Sequence, residues 1–183
     1  MSRGPAIGLL ELSSIARGIV ATDAMAKRAP VEIVRSQTVC PGKYIVLIGG
    51  NEEPVRESME IGVHYAGATL VDYLVIPNLH AQVLPALAAV QPLPALQAVG
   101  IVETFSVATT VMAADAACKA AAVTLIEIRL GTGLGGKAYV TMSGDQFDVE
   151  ASLAAALGAI DPVMLVRSEI IPAPHPDLSA SLL

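Results

Sequence analysis

The sequence predicts an α+β protein made of two tandem copies of one small domain. Each copy is a four-stranded antiparallel sheet with its helices on one face, the ferredoxin-like arrangement. Three observations lead there. The chain repeats itself from Ala6–Val31 to Ala98–Val123. Apolar residues switch between a strand period of two and a helical period of 3.6 in the same order in both halves. Gly and Pro fall at matching breaks between those segments.

The repeat is specific in chemistry as well as in hydropathy. Gly8, Glu11, Ser14, Asp23 and Lys27 recur as Gly100, Glu103, Ser106, Asp115 and Lys119. Further on, Gly42-Lys43 returns as Gly136-Lys137, Pro77 as Pro172 and His80 as His175. Two unrelated Ala-rich helices would not share Gly, Glu, Asp, Lys and His in one order. The repeating unit is about 90 residues, and the expected division is a first domain over 5–90, a linker over 91–96 and a second domain over 97–183.

In the first copy Ala6–Leu12 reads as a strand. Ser13 or Ser14 caps a helix whose apolar face is expected to include Ile15, Ile19 and Ala26. Pro30 ends it, and Val31–Val39 returns as a strand. Cys40-Pro41-Gly42 is a turn, because Pro fixes φ and Gly tolerates positive φ. Tyr44–Ile48 is the third strand, ended by Gly49-Gly50. Glu52–Ala66 is a helix with Pro54 in its first turn, where a missing N–H costs nothing. Thr69–Ile76 is the fourth strand, and Ala81–Ala89 suits a short helix. The second copy repeats the series with Val99–Glu103, Ser106–Ala121, Val123–Leu130, Lys137–Met142, Gln146–Leu157 and Val163–Ile170. One such unit has an open sheet edge and an uncovered face, which favours docking to a twin.

Composition narrows the function classes. A net charge of -6 argues against nucleic acid, which needs clustered Lys and Arg. Hydrophobic residues reach 54%, yet the most apolar stretch, Ala81–Val102, is broken by Pro85, Pro92 and Pro94. It therefore offers no uninterrupted span of ~20 apolar residues, and no membrane association is expected. Glu11 comes too early for the apolar core of a signal peptide, so a cytosolic chain is expected. The apolar excess is mainly Ala and Val, which suits surfaces buried between subunits. Two cysteines, Cys40 and Cys118, are too few for a disulfide framework or a zinc site in one chain.

Several motifs invite chemical readings that their context opposes. Gly131–Lys137 has the spacing of a phosphate-binding loop, but position 138 is Ala rather than Ser or Thr. The residues that follow alternate like a strand, whereas such a loop must open a helix. Glu11 and Glu103 recur symmetrically, as do His80 and His175, which points to structural or interface roles. His64 lies on the second helix and is expected to be exposed. No catalytic set stands out, and the chain is not expected to be an enzyme. Cys118 falls inside an Ala-rich helix and is expected to pack as a small hydrophobe. Taken alone, Cys40 before Pro-Gly reads as a small turn residue, and Lys27 and Lys119 read as solvated helix residues.

Taken together, three groups of residues resemble the recurring signature of bacterial microcompartment (BMC) shell domains. They are Ala6-Ile7-Gly8-Leu9-Leu10-Glu11, Asp23-Ala24-Met25-Ala26-Lys27 and Gly42-Lys43 before a strand. The second copy shows Ala98–Glu103, Asp115–Lys119 and Gly136-Lys137. The resemblance implies a pseudohexameric homotrimer that tiles edge to edge with other shell proteins, a location in the microcompartment shell, and tile-edge positions for Lys27 and Lys119. It also implies a central pore lined by Thr38, Val39, Cys40, Pro41 and Gly42 from one copy and Gly131, Thr132, Gly133, Leu134 and Gly135 from the other. Within the family, Val39-Cys40-Pro41-Gly42-Lys43 is most similar to the PduT-like type of propanediol-utilisation compartments.

That likeness implies that Cys40 from three subunits ligates one [4Fe–4S] cluster for electron transfer across the shell, with encapsulated redox enzymes as further partners. A cubane cluster takes thiolate ligands, usually four. One thiol per chain supplies three only on a threefold axis. The second copy lacks the sulfur and its loop is longer, so only the first loop offers a soft ligand. Two alternatives stay open: a tile with a metabolite-conducting pore and no cluster, and a soluble ligand-binding domain.

Overall fold

The computed structural model describes residues 5–88 and 96–181, with side chains to residue 178. The linker expected over 91–96 lies outside the described residues except for Leu96. Among the described residues the chain divides into two compact units. One takes residues up to 79 together with 131–136, and the other takes 80–130 and the residues from 137 onward.

In the first unit the elements are β1 (Ala6–Leu12), α1 (Ile15–Arg28), β2 (Glu32–Val39), β3 (Lys43–Gly50), α2 (Glu52–Ala66) and β4 (Leu70–Ile76). The strands form one antiparallel sheet in the order β2-β3-β1-β4. β1 is central and fully buried. Its Ala6, Leu10 and Leu12 join Ala21 and Met25 of α1, Val46 and Ile48 of β3, and Val55 and Met59 of α2 in one core. Successive strand side chains alternate faces, so both helices cover the face carrying Leu10 and Leu12. Ile7, Leu9 and Glu11 point to the other face.

Glycine sets how closely the helices approach the sheet. A Cβ on Gly8 would lie 2.4 Å from Met59 Cγ, so β1 can pass under α2 only without a side chain there. Gly18 plays the same part in α1, where a Cβ would lie 2.4 Å from the Tyr44 ring. This corrects the expected apolar face of α1. Gly18, Ala21 and Met25 face inward, while Ile15 and Ile19 are 40% and 55% exposed and Ala26 is exposed. The small stripe wins because it lets Tyr44 and Met25 fill the gap at contact distance. Ser14, not Ser13, is the helix cap, and its Oγ accepts from Arg17 N–H at 3.3 Å. β3 also runs through Gly49-Gly50 rather than ending before them.

The second unit opens with α3 (Val83–Leu87), shorter than the helix expected over 81–89. It continues with β5 (Ala98–Thr104), α4 (Val107–Ala120), β6 (Thr124–Leu130), β7 (Ala138–Gly144), α5 (Gln146–Gly158) and β8 (Leu165–Ile171). A 3-10 turn, Pro162–Met164, takes the start of the last expected strand. The strand order is β6-β7-β5-β8, again antiparallel throughout.

Even the irregularities of the sheets are duplicated. The register shifts at Glu11/Leu12 and Ile33/Arg35 recur at Glu103/Thr104 and Leu125/Glu127. Bulges are set by local geometry and redirect side chains. Their repetition means that the two copies share backbone detail as well as topology.

Candidate functional site: the Cys40 loop

The site is built from two turns of the first unit. Val39 ends β2 and is 5% exposed. Cys40-Pro41-Gly42 then reverses the chain into β3, closed by Gly42 N–H donating to Val39 C=O at 3.1 Å. Gly42 has φ 94, a conformation that L side chains rarely adopt. The Cys40–Pro41 peptide is cis. Thr38, Pro41 and Gly42 are exposed and Cys40 is half-buried.

The second turn, Gly131–Gly136, belongs to the same unit. Gly131, Gly133, Gly135 and Gly136 all have positive φ, which accounts for its glycine content. Thr132, Gly133 and Gly135 are exposed, Leu134 is half-buried and Gly131 is buried. At Gly136 a second constraint applies, because a Cβ would lie 2.7 Å from Pro41 Cδ and 3.2 Å from Cys40 O.

The two turns meet at sulfur. Gly133 N–H donates to Cys40 Sγ at 3.4 Å. Beneath them, Lys43 Nζ donates to Gly136 C=O at 3.3 Å and to Glu11 Oε1 at 2.8 Å. Glu11 is fully buried and Lys43 largely so. A buried carboxylate thus holds the lysine, and the lysine ties the Cys40 turn to the glycine turn. A peptide N–H on a thiolate or a metal-bound sulfur withdraws charge from it, a means of tuning such a ligand.

The sequence motifs resolve around this geometry. Lys137 pairs with Glu103 at 3.0 Å, the counterpart of the Lys43–Glu11 pair, and β7 begins directly after it. A loop that leads into a strand and whose lysine is paired with a carboxylate does not make a phosphate site. Cys118 is 7% exposed, and burial, helped by the Asp115 carboxylate, pushes its thiol up to about 12. It packs as the expected small hydrophobe and cannot act as a thiolate near neutrality.

His80 and His175 make the same local turn: Nδ1 accepts from Gln82 N–H at 3.4 Å and from Asp177 N–H at 3.2 Å. His64 is exposed. Lys27 and Lys119 lie on the last turns of α1 and α4, each paired four residues back with Asp23 or Asp115. Among the described residues no group of three or more His, Cys, Asp and Glu side chains could hold a metal ion.

Sequence reasoning noted Glu11 and Lys43 separately but missed their pairing. The signal was available, since both residues recur together as Glu103 and Lys137. The Gly133–Cys40 contact had no sequence signal.

A profile of the BMC domain matches residues 6–79 and again 98–174. This chain belongs to the BMC-domain family. It is 47% identical over 171 residues to the bacterial microcompartment shell protein PduT of Citrobacter freundii, covering 93% of each chain. It is also similar to a crystal structure of a microcompartment protein from Desulfitobacterium hafniense. The TM-score there is 0.87 at 47% identity, over 97% of this chain and 99% of that one. The chain therefore carries two BMC domains, the Cys40 loop being the β2–β3 turn of the first and the glycine turn lying between β6 and β7 of the second.

Proposed function

We propose that this chain is a structural tile of a bacterial microcompartment shell, located in that shell and working as an assembly rather than as a catalyst. Three chains, six BMC domains, form a pseudohexagonal ring whose β2–β3 and β6–β7 turns line a passage on the threefold axis. Thr38–Gly42 and Gly131–Gly135 supply the lining, and Lys27 and Lys119 meet neighbouring tiles.

Cys40 from each of the three chains holds a [4Fe–4S] cluster on that axis. The residues fit such a group by donor chemistry. Cys40 is an accessible soft ligand with a peptide N–H on its sulfur. Cys118 is buried and protonated, so each chain contributes one thiolate. Three thiolates leave one iron for a non-cysteine ligand. When bound, the cluster supplies one-electron transfer between the two sides of the shell, with encapsulated redox enzymes as partners. The chain's own part is to present the sulfur: Gly133 N–H orients it, and Lys43 fixes both turns.

The observation that carries this reading is the Gly133–Cys40 contact, which gives the single accessible thiol a prepared environment. Protein purified without oxygen should show the broad visible absorbance of an iron–thiolate cluster. Cys40→Ser should lose that absorbance and remain trimeric. A wild-type trimer with no iron would favour a tile with a metabolite-conducting pore.

A further inference from the structure

The second unit carries a docking interaction whose equivalent surface on the first unit is open among the described residues. His80 N–H donates to Asp115 Oδ1 at 2.8 Å. Two residues later the Gln82 side chain clamps the edge of β6. Its Nε2 donates to Val123 C=O at 2.9 Å, and its Oε1 accepts from Leu125 N–H at 2.9 Å. Val83, Ala86 and Leu87 of α3 are buried, Asp115 is 6% exposed, and Leu125 and Ile126 are at most 2% exposed.

In the repeat, Asp115, Val123, Leu125 and Ile126 correspond to Asp23, Val31, Ile33 and Val34. The register agrees, since Leu125 pairs with Met142 as Ile33 pairs with Ile48. Here, however, the face is open. The Asp23 side chain is 61% exposed, and Ile33 and Val34 are 43% and 41% exposed. The docking segment also has a twin: His175, Asp177 and Leu178 stand where His80, Gln82 and Val83 stand. It holds the same histidine turn, with His175 and Asp177 left 78% and 92% exposed.

We propose that Pro172–Leu178 of one chain docks on the α1–β2 face of a second copy of this chain. The His175 N–H donates to Asp23 of the partner subunit, and Leu178 covers Ile33 and Val34. Complementarity identifies the occupant, because the surface and the segment are the two halves of a pairing that the chain already makes once. Such a contact is head to tail, the kind that closes a ring when its rotation closes after a whole number of copies. The inference rests on the trimer proposed above and assigns its contacts. Asp177 can accept from Ile33 N–H as Gln82 Oε1 does from Leu125, but it lacks the amide donor for Val31 C=O.

The test is sedimentation of full-length protein over a dilution series. Asp23→Ala should raise the concentration at which the oligomer dissociates by about tenfold or more, the scale of a lost charge-assisted hydrogen bond. Asp177→Gln should lower it several-fold by restoring the missing donor. Hydrogen exchange at the Ile33 amide should be slow in the oligomer and fast on dilution, whether or not a variant folds well. Variants that dissociate like wild type, with Ile33 exchanging freely in the oligomer, would overturn the docking and leave the ring intact. A wild-type monomer at every concentration would overturn the ring itself.

Discussion

Lys43 Nζ lies 2.8 Å from Glu11 Oε1, and that carboxylate is completely buried. The equivalent pair in the second domain, Lys137 and Glu103, spans 3.0 Å with side chains 43% and 34% exposed. One duplicated ion pair thus occupies two environments. Breaking a buried pair strands a charge, whereas an exposed pair is screened by water. Lys43→Met should destabilise the protein by about 3 kcal/mol. Lys137→Met should cost less than about 1 kcal/mol. Urea denaturation of both variants checks the contrast, and equal losses would contradict it.

The glycine turn supports a second comparison. Gly133 has φ 75 and open space around it, while Gly136 has φ 90 and Pro41 Cδ where a Cβ would go. Gly133→Ala should cost about 1 kcal/mol, the backbone penalty alone. Gly136→Ala should cost roughly twice that or more, because it also pushes on the Cys40 turn. Thermal unfolding measures both. The Gly136 variant should also change the reactivity of the Cys40 thiol.

The two cysteines should react very differently. Burial raises Cys118 from the ordinary 9.0 to about 12. At pH 8 its thiolate fraction is therefore on the order of one in ten thousand. In cluster-free protein a thiol-reactive reagent at pH 8 should titrate Cys40 alone, and Cys118 only after denaturant. The sign for stability follows from linkage. Below about pH 9 the thiol is protonated whether folded or unfolded. As pH rises from there toward 12 only the unfolded thiol ionises, so this contribution is lost with rising pH.

Lys27 is 74% exposed even while paired with Asp23, and an exposed ion pair adds little to stability. Lys27→Ala should leave the melting temperature nearly unchanged and weaken the packing of tiles into sheets. Electron microscopy of assembled material reads the outcome, and sheets like those of wild type would remove Lys27 from the tile edge.

Much of this architecture is legible in the sequence because its signals are local. Pro30, Gly42 and Pro54 punctuate the chain, and period changes mark each helix, so Glu52–Ala66 falls where the residues place it. The buried face of α1 is not legible, since Ile15 and Ile19 outrank Gly18 and Ala21 on any hydropathy scale. The Tyr44 ring of β3 against Gly18 and the close approach of Met25 to Gly62 of α2 make the small stripe the inner one. The Cys40–Gly133 contact is hidden for a similar reason. It joins residues far apart in the chain through a backbone N–H, which every residue except proline carries.

Native mass spectrometry of protein prepared without oxygen tests the central proposal most directly. The account predicts three chains carrying four irons and four sulfides, and three bare chains of Cys40→Ser. Iron retained in the Cys40→Ser assembly, or a wild-type species of a single chain, would contradict it.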